Sequence, residues 1–426
     1  MQLNYVSIGV FLTVYVAVAL RNLRRFKMPM WTVMLAGAVA MILSGSITLA
    51  EAYGSINLDV IFFLLGMFSI VAAMELSGLL EFLTGRMLRL TSTPRQTIAI
   101  VLFGMGLLSA FLVNDTLALT ATPIMLGVSK QMHLRPSVLL ITLALGVTVG
   151  SVVTPVGNPQ NLLIALSSNI SNPMLDFLHY LLPPTIAGLI VSYLILRFYF
   201  RKDLAQSAES QDLIPLTHIA DRNLARLAAL ATGIVIIGFF IVGVTQLFGV
   251  QGNLNLGTIS ILGATIVFLL SSRRREILKS VDWGIIIFFI SLFIVVQGFW
   301  ESGAIQSLMA YMPGLNPSDT FISIGAIILA SLVFSQLLSN VPFVAVYIKA
   351  MIAAGFTGNN VKAWVALAGA STLAGGLTLL GAASNVIILE TAESRGSGFS
   401  SLEFSKVGLL VTIPNVLLLY LFLRIS

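Results

Sequence analysis

Apolar residues fall in twelve runs separated by short polar breaks: 4–20, 31–49, 58–79, 97–129, 136–168, 175–198, 224–248, 256–272, 282–300, 319–354, 362–391 and 404–424. About 20 consecutive apolar residues span the hydrocarbon core of a bilayer as one helix. The pattern therefore predicts an all-α membrane protein of about ten transmembrane helices, with further segments that do not cross simply. Two runs, 97–129 and 319–354, are too long for one crossing. Each carries a polar break at its middle, Asn114-Asp115-Thr116 in the first and Ser339-Asn340-Val341-Pro342 in the second. These are predicted to be re-entrant helical hairpins with tips near mid-membrane. Runs 136–168 and 362–391 are predicted to be interrupted helices, broken at Thr154–Asn161 and Thr378–Asn385.

Charge placement tests the hairpins. If both re-enter, Arg21, Arg24, Arg25 and Lys27 share one side with Arg86, Arg89, Arg95, Lys130, Arg135 and the later basic loops. That side then holds 20 of the 23 basic residues, and only Lys349, Lys362 and Arg424 lie opposite. The excess of Lys and Arg in cytoplasmic loops makes the basic side cytoplasmic and both termini periplasmic or extracellular. A straight crossing at 97–129 would invert every later loop.

The chain also repeats itself at an offset of about 225 residues, the order of a whole structural half. Ser109-Ala-Phe-Leu-Val-Asn114 matches Ser335-Gln-Leu-Leu-Ser-Asn340. Thr154-Pro-Val-Gly157-Asn-Pro-Gln-Asn161 matches Thr378-Leu-Leu-Gly381-Ala-Ala-Ser-Asn385, and Ser77-Gly78 matches Ser302-Gly303. Residues 1–200 and 224–426 are thus expected to be two inverted-topology repeats, joined by a polar cytoplasmic linker at 201–223.

Composition narrows the class. Charged residues make up 9% of the 426 and hydrophobic residues 57%, with mean hydropathy +0.99. A soluble enzyme carries about 25% charged residues. The net charge of +6 reads as cytoplasmic loops facing a membrane, not as a nucleic-acid surface. With no cysteine, thiolate metal sites, iron–sulfur clusters and cysteine nucleophiles are excluded. No phosphate-binding loop and no His-Glu-x-x-His is present. The chain is expected to be a transporter rather than an enzyme, without cofactor or metal.

The candidate chemistry lies in the four breaks. Non-helical backbone at membrane depth persists only inside protein or along a wet cavity, and half-helices ending there present free N–H groups and carbonyls. The expected solute-binding residues are Asn114, Thr116, Thr154, Asn158, Asn161, Ser339, Asn340, Thr378, Ser384 and Asn385. Asp115 is the one acidic residue placed at a hairpin tip. A carboxylate there costs about 2.5–3.5 kcal/mol on insertion scales and marks function, so Asp115 is the expected proton- or ion-coupling residue. Asp115 can instead, or also, cap the second hairpin helix. Glu75, late in the third span, is a second coupling candidate, although snorkelling to the interface accounts for it equally well.

These motifs resemble the ion transporter superfamily that includes the arsenite permease ArsB, NhaD-type sodium/proton antiporters and the divalent anion–sodium symporters. Asn114-Asp115 with Thr122-Pro123 looks like the corresponding ArsB segment. Thr154–Asn161, Ser339-Asn340-Val341-Pro342 and Gly381–Asn385 resemble the family's loops. The resemblance covers nearly the whole chain. It implies an inverted-repeat carrier in the inner or plasma membrane, with solute held between two hairpin tips and two interrupted helices. The Ser-Asn-Thr pattern of sodium-dependent dicarboxylate carriers is not intact here. The expectation is therefore proton-coupled efflux of arsenite or antimonite. An inorganic-anion or carboxylate carrier, and a sodium/proton antiporter, are the alternatives. ArsB-like permeases also admit a soluble ATPase partner, and a homodimer is compatible with the sequence.

Overall fold

The computed structural model describes residues 3–20, 28–206, 218–248, 254–309 and 315–426. The basic run Arg21–Lys27 and most of the expected linker, 207–217, lie outside the described residues. The first half runs α1 (Tyr5–Leu20), α2 (Met30–Leu43), α3 (Leu49–Ser55), α4 (Leu58–Leu76), α5 (Leu79–Leu88), α6 (Pro94–Ala99), a π-turn (Ile100–Gly104), α7 (Met105–Ser109), α8 (Asn114–Gln131), α9 (Pro136–Gly150), α10 (Pro159–Ser167) and α11 (Pro173–Tyr199). After α12 (Arg201–Gln206), the second half runs α13 (Arg222–Leu247), α14 (Leu256–Leu270), α15 (Arg274–Ser280), α16 (Trp283–Glu301), α17 (Ala304–Met309), α18 (Thr320–Leu338), α19 (Asn340–Ala353), α20 (Val361–Ala374), α21 (Ala383–Glu393) and α22 (Ser401–Ile425). No strand occurs among the described residues.

Among the described residues seven helices are long and apolar enough to cross a membrane by themselves, and several shorter apolar helices accompany them. The chain is an all-α, multi-pass membrane protein. The expected span 31–49 stops at Leu43, because Thr48 and Glu51 form a capping box that starts the separate helix α3. The short helices α3, α5, α15 and α17 were not expected. Each sits beside a long helix: α3 and α17 against α16, α5 and α15 against α4.

Packing pairs the halves crosswise. Helix α4 lies along α14 and α2 along α16; α8 meets α21 and α10 meets α19; α11 and α22 pack on each other. In the pairs α4–α14 with α2–α16, and α8–α21 with α10–α19, the halves exchange roles. The α4–α14 crossing is close because Gly66 has no Cβ to meet the Ser260 backbone, the small-residue packing that membrane helices use. Trp364, Phe63, Phe177 and Phe239 fill the interior. Leu230, Ile237 and Ile241 on α13 and Leu409, Ile413, Leu417 and Leu421 on α22 face outward. Apolar faces of that extent suit acyl chains, not water.

Candidate functional site

The first hairpin breaks slightly earlier than expected. Residues 110–113 form the turn, and Asn114, Asp115 and Thr116 are the first turn of α8. The N-cap is Val113 and no side chain caps the helix, so the capping role considered for Asp115 is not what the structure shows. The second hairpin breaks at the single residue Ser339, held at φ +66°. That value costs a non-glycine residue strain, which the surroundings must impose.

The interrupted helices hold the turns in place. Asn114 N–H donates to Gly157 O at 3.3 Å. Ser109 Oγ donates to Val147 O at 2.9 Å, and Thr154 Oγ1 donates to Ala110 O. In the second half Gln336 Nε2 donates to Ala374 O at 2.7 Å and Thr378 Oγ1 to Gln336 Oε1 at 2.7 Å. The two breaks share one design. Asn161 Nδ2 donates to the carbonyls of Ser151 and Thr154, at 3.2 and 3.1 Å, and also to Val152. Asn385 Nδ2 donates to those of Gly375 and Thr378, at 2.8 and 3.4 Å. These are the two positions that the sequence match at an offset of about 225 residues pairs. Such bonds satisfy carbonyls that the interrupted helices leave open.

A cavity of about 360 Å³ lies where these parts meet. Buried Asn114, Asn340 and Gln160 form its floor, and exposed Pro29 and Asp282 its mouth, with Met30, Trp31 and Phe288 along the walls. The starts of α8, α10, α19 and α21 all line it, through Asn114, Pro159, Asn340 and Ala383. Of these four N-termini only α10 is capped by a side chain, that of Asn158. The others turn their positive ends toward the cavity.

The floor supplies acceptors as well. Asn114 Oδ1 and Asn340 Oδ1 are buried without a hydrogen-bond partner, a costly condition that a bound solute relieves. Asp115 and Asp282 supply two carboxylates. No Lys, Arg or His is among the described residues lining the cavity.

Of the expected site residues, Asn114, Asp115, Ser339 and Asn340 converge here. Asn158, Asn161, Thr154 and Thr378 do not line the cavity; their polar atoms hold the breaks together. Asn158 and Asn161 also meet across the two halves at Thr372, whose Oγ1 accepts from Asn158 Nδ2 at 3.1 Å and donates to Asn161 Oδ1 at 3.0 Å. Ser384 Oγ and Asn385 Oδ1 are buried without partners, off the cavity wall. Thr116 is also off the wall, as is Glu75, half-buried near the end of α4. Sequence reasoning missed Gln160, Thr372, Trp31 and Asp282. Gln160 stands inside a quoted motif, and the repeat offset leads from Thr148 to Thr372. For Asp282 the sequence signals a helix cap, as an aspartate directly before an apolar run, but nothing that places it at a cavity.

The comparisons agree with this architecture. A family model described as citrate transporter, CitMHS, matches residues 15–374. An uncharacterized transporter of Mycobacterium tuberculosis is 27% identical over 99% of both chains. A silicon efflux transporter of Oryza sativa subsp. japonica is 28% identical over 84% of each. The putative transporter arsB of Dictyostelium discoideum is 25% identical over 90% of this chain and 85% of its own. Among solved structures, the YdaH transporter of Alcanivorax borkumensis aligns over 99% of this chain and 97% of its own, with TM-score 0.57 and 13% identity, and so shares the fold. The relatives are membrane transporters, not enzymes. The chain belongs to the citrate transporter (CitMHS) family, within the ArsB/NhaD-type ion transporter superfamily.

Proposed function

We propose that this secondary transporter exports arsenite, and antimonite with it, in exchange for protons. The observation that carries this reading is the donor–acceptor balance of the cavity. Uncapped helix N-termini donate, the free Oδ1 atoms of Asn114 and Asn340 accept, and no basic side chain lines the wall among the described residues. Arsenite at neutral pH is mainly an uncharged trihydroxide, and each hydroxyl both donates and accepts. Recognition through oxygen suits a chain without cysteine. The silicon efflux relative supports the same chemistry, since silicic acid is also an uncharged polyhydroxide at neutral pH.

Asp115 sits beside both asparagines and is the group that takes up the coupling proton on one side and releases it on the other. Glu75 lies away from the cavity and is not needed for this step. Residues 1–200 and 224–426 form the two inverted repeats around the site, joined by 201–223; the matching bonds of Asn161 and Asn385 support that division. The cavity mouth faces the cytoplasm on the charge argument, and both termini lie outside.

The family description favours a second reading, a carboxylate carrier, and the three uncapped helix N-termini can hold an anion without arginine. Two carboxylates in the same cavity weigh against it. Everted vesicles separate the readings when arsenite, sulfate, succinate, citrate and sodium are compared under an imposed pH gradient. Uphill arsenite uptake driven by the gradient is expected. Gradient-driven succinate or citrate uptake with arsenite left at equilibrium would replace the arsenite reading by the anion one. Dissipation without accumulation would indicate a channel.

A further inference from the structure

Lys349 lies in the second half of the apolar helix α19, nine residues after Asn340 and half-buried, and its amine finds its partners on another helix. Its Nζ donates to Gln297 Oε1 at 2.6 Å and lies 5.4 Å from the centre of the Trp300 ring. Gln297 Nε2 donates in turn to Glu301 Oε1 at 2.7 Å. All three partners belong to α16, at the end opposite Asp282. One end of α16 therefore walls the open cavity, while the other is tied to the hairpin helix that begins at Asn340.

The repeat gives this link no counterpart. Counted from the paired asparagines, the position of Lys349 corresponds to Pro123 in α8. The matching helix, α4, carries Glu75 near its end, and α8 does not pack on it as α19 packs on α16. The cavities differ in the same sense. Around the starts of α4 and α14, Asp59, Asn255, Leu256 and Leu166 line a vestibule of only about 180 Å³, and no hairpin-tip residue lines it. At the corresponding start of α16 the larger cavity reaches both tips.

We propose that Lys349, Gln297 and Glu301 form a one-sided latch that holds α19 against α16 and biases the carrier toward the conformation seen, open at Asp282 and shut at Asp59. Opening the Asp59 side requires α19 to leave α16, which strips the Lys349 amine of its acceptor and its aromatic face. The inference goes beyond the solute reading and needs only that the tips are reached from two sides in turn.

The chain has no cysteine, so one introduced thiol is unambiguous. Ile387→Cys reports the open cavity and Leu166→Cys the shut vestibule, each probed with a membrane-impermeant maleimide from either side, without any solute. Lys349→Met and Gln297→Leu are each expected to slow labelling at 387 and speed it at 166, changing the ratio of the two rates roughly tenfold. Lys349→Arg, which keeps the charge and a donor, is expected to restore the original ratio. Gln297→Leu removes the same bond without touching a charge, and it gives the answer if Lys349→Met does not accumulate. An unchanged ratio in Gln297→Leu protein that elutes as a single species overturns the latch. That result leaves the solute reading intact, because the labelling requires no transport.

Discussion

At the residue scale the site depends on a few groups whose environment, rather than identity, gives them a role. Asp115 lines the cavity with Asn114 and Asn340, whose side-chain oxygens have no partner, and no basic side chain lines that cavity among the described residues. Asp115→Asn keeps its size and removes only the titrating proton site. It is expected to accumulate and bind arsenite but to lose export driven by a pH gradient; full arsenite resistance in a sensitive host expressing the variant contradicts that role. Asp282 does two things at once. It lines the cavity, and its side chain accepts the Ile285 N–H at 3.1 Å as the N-cap of α16. Asparagine caps as well as aspartate and alanine does not. Asp282→Ala is therefore expected to lower stability by about 1 kcal/mol while Asp282→Asn stays within a few tenths, read from thermal unfolding in detergent. A change in solute handling by the stable Asp282→Asn variant would then belong to the charge alone. The capping role is readable from an aspartate directly before an apolar run, whereas its place in the cavity is not, because the other lining residues, Trp31, Asn114 and Asn340, come from distant parts of the chain.

At the element scale the interrupted helices are built by side chains that replace missing backbone bonds. Asn161 donates to three carbonyls and accepts from Thr372; Asn385 donates to two carbonyls and keeps a free Oδ1. Asn161→Ala is expected to cost roughly 2–4 kcal/mol, more than Asn385→Ala, because it leaves more buried groups unpaired. Asn161→Asp, nearly the same shape, places an acceptor against three carbonyls and is expected to fail to accumulate; a thermal scan and membrane yield check both. The existence of the breaks was readable from Gly157, Pro159 and Gly381 interrupting apolar runs. The division of labour within them was not. Asn158 and Asn161 look like solute ligands in sequence, since an amide that ties a helix end and an amide that binds a solute have the same composition. What separates them is direction, and direction follows from the extended backbone at Thr154 and Asn158. The breaks at 110–113 and at Ser339 were legible for a stronger reason, since runs 97–129 and 319–354 both exceed the length of one crossing.

At the scale of the whole molecule neither half encloses the site. The cavity takes Asn114, Asp115 and Gln160 from one half and Asn340, Ala383 and Asp282 from the other. The large helix contacts α4–α14, α2–α16 and α11–α22 all join different halves. Thr372 completes the polar cluster of Asn158 and Asn161 only across that boundary. A half expressed alone would expose Gly66 and the buried face of α4, and would leave the amides of Asn158 and Asn161 short of a partner. In a bilayer the apolar surface can be covered by lipid, but the unpaired amides cannot. Residues 1–206 and 218–426, cut within the connection between α12 and α13, are therefore expected to be unstable separately and to assemble when produced together. The measurement is co-purification of a tagged first half with an untagged second half, alongside transport in the same membranes. Two halves that each accumulate as separate stable species, with no association, would mean that the crosswise packing contributes little. Association that recovers Ile387→Cys labelling but not transport would show that 207–217 serves the transport cycle beyond joining the halves.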